Sequence, residues 1–449
     1  MADGDTAHGH GGGDDEVDSL TLPGAVSLGT GVMIGAGVFA LTGQAAALAG
    51  DLFPVAFLVA AVVASFSAYS YVKMSNAFPS SGGVAMFLKE EYGLGTTTGV
   101  FALFMYVSMV INESLVARTF GAYLLQIVDL GTASFWVPAL GVGLLVLAFL
   151  VNIAGNALVQ TAERIMAAIK IFGLAVFAIA GLWYASGDNF SNGATGGGAS
   201  PSVDGFLAAA ALSILAYKGF TTITNSGGEI VDPHRNTGRA IVISIAICSV
   251  LYLALSIAVA GNLTLTEIID AEDFALARAA EPALGEFGLW FTVAIAVIAT
   301  ASGVIASVFA ASRMLAMLSR MNEVPHRHFG MPGPVRVHTM VYTVTCAIAL
   351  TVLFDLRRIA ALGAIFYLIM DIAIHWGMIR HLRGRVAFNP AIVAAALVFD
   401  IVLLLAFLWV KASADVLIVW ISAAAIVTIV VAERLFMRSH TDAEGQMNM

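Results

Sequence analysis

The chain has 449 residues, 59% of them hydrophobic and 11% charged, with a mean hydropathy of +0.90. Soluble domains carry about 25% charged residues, so most of this chain has to face lipid or other apolar helices. The net charge of −9 argues against a nucleic-acid-binding surface and against binding of anionic lipid.

Residues 1–18 are polar, acidic and glycine-rich, and read as a disordered cytoplasmic tail. They lack the basic start and short apolar core of a signal peptide. Asp3, Asp5, Asp14, Asp15, Glu16 and Asp18 supply much of the negative charge. His8 and His10 in this tail admit a metal-binding reading, but a solvated tail is the plainer one.

A spanning helix needs about 20 apolar residues. On that template about twelve spans follow in order: 21–50, 53–76, 98–128, 134–153, 159–185, 206–228, 239–261, 287–319, 338–355, 359–379, 390–410 and 413–434. Such long uninterrupted runs do not suit barrel strands, so the fold class is all-α. Lys and Arg resist translocation. With both termini inside, most of the 21 basic residues fall on the cytoplasmic side. Arg278, Arg357, Arg358 and Lys411 are left outside, and Arg118, Lys170 and Lys218 lie within spans. A multi-pass protein of the cell membrane is expected. The Gly- and Ser-rich segment 186–202 reads as a flexible outer loop. Cys248 and Cys346 both fall in spans, which gives neither a disulfide framework nor a paired-cysteine metal spacing.

The first span holds Gly29-Thr30-Gly31-Val32-Met33-Ile34-Gly35-Ala36-Gly37, four glycines in nine residues. A nucleotide-binding loop is a poor reading, because no strand precedes it and the spacing is wrong. Gly31-x-x-x-Gly35 as a helix-packing seam stays open. The favoured expectation is an unwound turn at membrane depth, tolerated only where it lines a protein cavity, with free N–H groups suited to a carboxylate. The sixth span repeats the theme. It reads Ala211-Leu212-Ser213-Ile214-Leu215-Ala216-Tyr217-Lys218-Gly219-Phe220, and a lysine beside a glycine in mid-span favours a break. Paired interruptions of this kind point to a midplane binding site.

Several stretches, in order, carry a resemblance to the amino acid–polyamine–organocation (APC) family of secondary transporters. They are GTGVMIGAGVFALTGQAA, NAFPSSGGVAMFLKEEYG, AERIMAAIKIFGL, AYKGFTTITNSGGEIVDPHRNTGRAI and SRMLAMLSRMNEVP, within residues 20–385. The resemblance implies a LeuT-like fold in which residues 19–385 form a five-plus-five inverted repeat. Residues 386–436 then add two helices and 437–449 a cytoplasmic tail. It implies alternating access, uptake of amino acids or related amines, and neither enzymatic chemistry nor a cofactor. Carried over by position, it puts Thr30, Gly31, Gly35, Ala36 and Gly37 around the substrate carboxylate. The carbonyls of Ser213, Ile214 and Ala216 come near the amine, and Tyr217, Lys218 and Phe220 against the side chain or at a gate. Lys170 matches a lysine that stands in for a sodium ion, with contacts to the Gly31 or Ile34 carbonyls and the Ser302 or Ser307 hydroxyls.

An ammonium as deep as Lys170 is costly, which makes proton loss during a transport cycle feasible. A permanently charged structural lysine, snorkelling or paired with Glu113, is the plainer alternative. Lys218 departs from the family's usual small residue, and Asn112 and Glu113 lie midway along span three, which lines the same site in this fold. A Glu113–Lys218 or Glu113–Lys170 pair is expected on charge grounds, and the charge class of the substrate stays open. Arg118 is expected near interfacial water. Asp371 and His375, four apart, read as a helix-stabilising pair near the cytoplasmic end in preference to a proton relay. Asp400 reads as a partner or oligomer contact, with oligomeric state open. Glu229, Asp232, Arg235, Arg239, Arg313 and Arg320 form either an inner gate network or ordinary loop charge. Two further functions stay in view, a polyamine or amine exchanger without ion coupling and a membrane sensor that binds without transporting.

Overall fold

The computed structural model describes residues 20–128, 135–154, 156–185, 202–324 and 334–447, with backbone alone at residues 36, 156–164 and 439–447. The acidic tail with its two histidines and the loop 186–201 lie outside the described residues. The described chain is helical throughout, its only extended pairing being the isolated bridges Leu20–Ile230 and Arg383–Val386.

Helix α1 (Leu22–Ala49) starts where the Thr21 hydroxyl accepts from the Gly24 N–H at 3.4 Å and Pro23 occupies the first turn. A proline there sacrifices no hydrogen bond, because first-turn N–H groups have no helical partner. The helix stops at Gly50, whose φ of +58° suits a residue without a Cβ. Next come α2 (Phe53–Ala77), α3 (Val84–Tyr92), α4 (Thr96–Leu124), α5 (Trp136–Ala154) and α6 (Asn156–Tyr184). They are followed by α7 (Val203–Ser213), α8 (Phe220–Asn225), α9 (Pro233–Asn262) and α10 (Leu265–Asp270). The chain closes with α11 (Ala275–Arg320), α12 (Val335–Leu353), α13 (Leu356–His381), α14 (Pro390–Ala414) and α15 (Val416–Met447). Among the described residues eleven stretches are long and apolar enough to cross a membrane; the first, Leu22–Ala77, contains both α1 and α2. Within α11, Gly285 at φ +66° interrupts the helix, so its membrane-crossing part begins where the sequence places it, near residue 287.

The first span departs from expectation. Its backbone is helical from Leu22 to Ala49, without an unwound turn at Gly29–Gly37. The glycines work as a packing seam instead. A Cβ on Gly35 would come within 2.7 Å of the Ala299 carbonyl oxygen and 3.0 Å of the Gly303 Cα. One on Gly37 would meet the Tyr252 hydroxyl at 2.6 Å, and one on Gly29 would run into the Ile223 side chain. Absent side chains let α11, α9 and the broken sixth span lie directly on α1, which is the small-residue mode of packing in lipid. Contact is gained while every peptide group keeps its helical partner, so nothing forces the helix open.

The sixth span does break. After α7 the chain tightens into a 3₁₀ turn over Ile214–Tyr217, turns again at Lys218–Gly219 and resumes as α8. Gly219 allows this, because any side chain there would run into the Met33 backbone of α1. The Thr221 hydroxyl donates to the Lys218 carbonyl at 3.0 Å and that of Thr224 to the Thr221 carbonyl at 2.6 Å. The Lys218 carbonyl also accepts from the Thr221 N–H at 3.0 Å, so the tight turn keeps its backbone paired and the hydroxyls add to that pairing. Helix α1 packs against α6, α7, α9 and α11, while α4 and α13 close the interior from the other side. Helix α14 packs on α13, α7 and α2, so it is part of the body around the break and not a peripheral addition.

Candidate functional site

Around the break, α4 presents Ser108, Asn112 and Glu113 to the interior, all buried. Ser108 and Asn112 are four residues apart and share a helix face. The Lys218 ammonium, emerging from the turn, donates to the Ser108 hydroxyl and sits 5.4 Å from the centre of the Tyr367 ring on α13. A hydroxyl and an aromatic face together compensate an ammonium removed from water. Glu113 takes a different partner: its Oε1 accepts from the Ser307 hydroxyl of α11 at 3.3 Å. Among the described residues no salt bridge joins Glu113 to Lys218 or to Lys170, so neither expected pair forms as a direct contact, although the Lys218 charge still acts on Glu113. Glu113 Oε2 and Asn112 Oδ1 are buried without a hydrogen-bond partner, two open acceptors on successive residues of α4.

On the other side of α1, Lys170 of α6 is fully buried and donates to the Ser302 hydroxyl of α11 at 2.7 Å. Of the two hydroxyls expected around it, Ser302 is the one bonded to it here, whereas Ser307 goes to Glu113. Thr30 is buried, and its hydroxyl returns to the Val26 carbonyl of its own helix at 2.8 Å. Gly31 and Gly35 lie against Gly303, and Ile34 is buried in the same helix. The side chain of Ala36 lies outside the described residues. The Ala216 carbonyl accepts from the Tyr252 hydroxyl at 3.2 Å, so that acceptor is already engaged. Ser213 Oγ is buried and without a hydrogen-bond partner, and Ile214 opens the 3₁₀ turn. Tyr217 turns toward α2 and α9, its hydroxyl 3.4 Å from the Phe57 carbonyl and its ring edge-on to Tyr252 at 5.2 Å. Phe220 packs edge-on against Tyr71 of α2 at 5.0 Å.

A second polar group adjoins the break. Tyr71 donates to Asp371 Oδ1 at 2.5 Å and Ser67 to Asp371 Oδ2 at 2.6 Å, which joins α2 to α13. One turn on, His375 Nε2 lies 3.1 Å from Asp400 Oδ2 of α14. All three acid and imidazole side chains are fully buried. The reading of Asp371 and His375 as a simple intrahelical pair misses these cross-helix partners, and Asp400 faces His375 instead of an outside protein. Ser67, Tyr71, Ser108 and Tyr367 were not anticipated. Their spacing is the available signal: Ser67 and Tyr71 are i, i+4, and Tyr367, Asp371 and His375 are i, i+4, i+8, each set one polar stripe on an apolar helix.

At the two ends of the bundle the charges are used locally. Arg118 donates to the carbonyls of Thr351 and Phe354 at 2.7 and 2.6 Å, capping the C-terminal end of α12 where helix carbonyls lack partners. Of the expected inner network, Glu229 pairs with Arg313, whose guanidinium lies 4.6 Å from the Phe309 ring centre. Among the described residues, Asp232, Arg235, Arg239 and Arg320 join no ion pair, and Arg239 donates to Asn236 at 3.4 Å.

A family model described as amino acid permease matches residues 20–432. The chain is 29% identical over 416 residues to the inner membrane transport protein YbaT of Escherichia coli, covering 92% of this chain and 95% of that one. It is 28% identical to a methylthioribose transporter of Bacillus subtilis over 52% of this chain and 53% of that one. It is 26% identical to cationic amino acid transporter 3, mitochondrial, of Arabidopsis thaliana, over 77% of this chain and 59% of that one.

Proposed function

The chain belongs to the amino acid permease family of membrane transporters, and from that premise we propose that it is a secondary active transporter moving an amino acid by alternating access across the cell membrane, with Lys170 coupling transport to protons. Lys170 carries the coupling half of this reading. It bridges α6 and α11 through Ser302 in the apolar interior, beside the glycine seam that holds α11 to α1. With its proton, the ammonium holds the three helices together, and the Gly31 and Ile34 carbonyls are the acceptors within α1 that would complete its shell. Without the proton, that brace weakens and α1 is free to move against α11. Four glycines make a local opening of α1 inexpensive, and the N–H groups of Gly31, Gly35 and Gly37 then become available to a carboxylate.

The substrate is an amino acid carrying a basic or amine-bearing side chain. The observation that carries this is the pair of buried acceptors, Glu113 Oε2 and Asn112 Oδ1, that lack hydrogen-bond donors. A carboxylate enclosed in apolar surroundings with no cation paired to it is strongly destabilising. A substrate ammonium or guanidinium supplies both the missing charge and the missing donors. The Lys218 charge reaches Glu113, but its ammonium donates to Ser108 and lies against Tyr367, so it supplies no hydrogen bond to Glu113 Oε2. The likeness to a relative named as a cationic amino acid transporter points the same way.

Reconstituted vesicles test both halves. Labelled arginine or lysine is expected to accumulate under an inward proton gradient, with competition by basic amino acids exceeding that by neutral or acidic ones. Lys170→Ala is expected to keep counterflow exchange while losing accumulation driven by the pH gradient. Competition confined to acidic amino acids sinks the substrate assignment, and normal gradient-driven accumulation in Lys170→Ala sinks the coupling.

A further inference from the structure

We propose that Asp371, His375 and Asp400 form a binding site for a divalent transition-metal ion that clamps α13 to α14. Each of the three offers one ligand atom, and these atoms all lie within 4.8 Å of one another. Metal–ligand bonds of roughly 2.0–2.2 Å to imidazole nitrogen and carboxylate oxygen span at most about 4.4 Å, so a small inward shift of the side chains brings all three donors onto one ion.

Burial supplies the next constraint. All three side chains are fully enclosed, and among the described residues none is ion-paired with a lysine or arginine. With both carboxylates ionised and the imidazole neutral, the cluster would carry two negative charges in apolar surroundings, against which the buried Lys218 acts on Asp371 without contacting it. One divalent cation brings the assembly to neutrality.

Hydrogen bonding points the same way. His375 Nε2 and Asp400 Oδ2 are 3.1 Å apart but not aligned as a hydrogen bond. Both ring nitrogens of His375 and both carboxylate oxygens of Asp400 are buried with no hydrogen-bond partner. Asp371 differs in the way an outer shell requires. Its two oxygens accept from Ser67 and Tyr71 at 2.6 and 2.5 Å, which fixes the carboxylate while leaving lone pairs for a metal. One imidazole and two carboxylates suit zinc, cobalt, iron or manganese better than magnesium or calcium, which favour all-oxygen shells, or copper(I), which favours sulfur. Because Tyr71 packs on Phe220 at the start of α8, the ion would stiffen the wall behind the broken span. This site is independent of the substrate and coupling readings.

The test uses the full-length chain with His8→Ala and His10→Ala, purified without a polyhistidine tag, stripped by chelator and dialysed against Zn²⁺ or Co²⁺. The expected result is about one metal per chain and a melting temperature that rises with Zn²⁺ concentration, as binding to the folded state alone requires. Both are expected to vanish in His375→Gln and Asp400→Asn. Should those variants fail to fold, zinc-edge absorption of the loaded parent decides, an imidazole with oxygen donors supporting the site and any other shell overturning it. A parent chain that retains no metal, or variants that fold and retain it undiminished, likewise overturns the proposal and leaves the cluster neutralised by protons alone.

Discussion

Glu91 and Glu113 are both buried carboxylates lacking full hydrogen-bond partners, yet they sit in different places and have different consequences. Glu91 belongs to the short helix α3, between the spans, and packs against Gly377 of α13. Burial alone pushes its carboxyl well above the usual glutamate range. The unfolded chain therefore releases this proton at lower pH than the folded one, and stability falls as pH rises from the ordinary glutamate range toward the raised value. Glu91→Gln removes that dependence without changing shape. Its melting temperature is expected to exceed that of the parent at pH 8 by a few degrees and to converge with it near pH 5; equal curves at both pH values would remove the argument. Glu113 is buried next to Asn112 in the interior, where the proposed function assigns its charge to the substrate. Glu113→Gln is expected to weaken competition by basic amino acids about tenfold, roughly 1.4 kcal/mol, with little change for neutral ones. Uniform loss across the panel would mean that the residue supports the fold and not the substrate.

Helix α1 shows how one glycine-rich sequence serves two ends. In this structure it is a regular helix whose glycines let α9 and α11 approach its backbone. Adding bulk there should act by overpacking, which typically costs about 1–3 kcal/mol in a tight core. Gly35→Leu, which meets the Ala299 carbonyl and the Gly303 Cα, is expected to lower the yield of monodisperse protein and its melting temperature. Gly143→Ala on α5, with nothing within 4 Å of the added atom, should leave both unchanged. If both variants behave alike, the seam contributes nothing to stability. The broken span is the counterpart. There Gly219 lies on α1 with no room for a side chain, and backbone bonds to the Lys218 and Gly219 carbonyls keep the tight turn paired, the Thr221 hydroxyl adding to the first of them.

At the scale of the molecule, the bias of basic residues leads us to propose that both termini lie in the cytoplasm. Fluorescent-protein fusions at either end of the chain should light up inside cells, and an alkaline phosphatase fusion there should be inactive; active phosphatase would invert the topology. The all-helical class, the long apolar helices, the irregular turn at Lys218–Gly219 and the enclosure of Lys170 could be read from the sequence, because hydrophobic length and an out-of-place charge or glycine are local signals. The sequence also placed Asp371 and His375 on one helix face, since 3.6 residues per turn dictates it. It was silent on what lies opposite a face. That Asp400 meets His375, that Ser307 takes Glu113 and leaves Lys218 to Ser108 and Tyr367, and that α1 stays helical were settled only by how the helices pack. Glycine widens what a backbone can do without choosing among the options, and a buried polar group demands a partner without naming it; the neighbouring helix makes both choices.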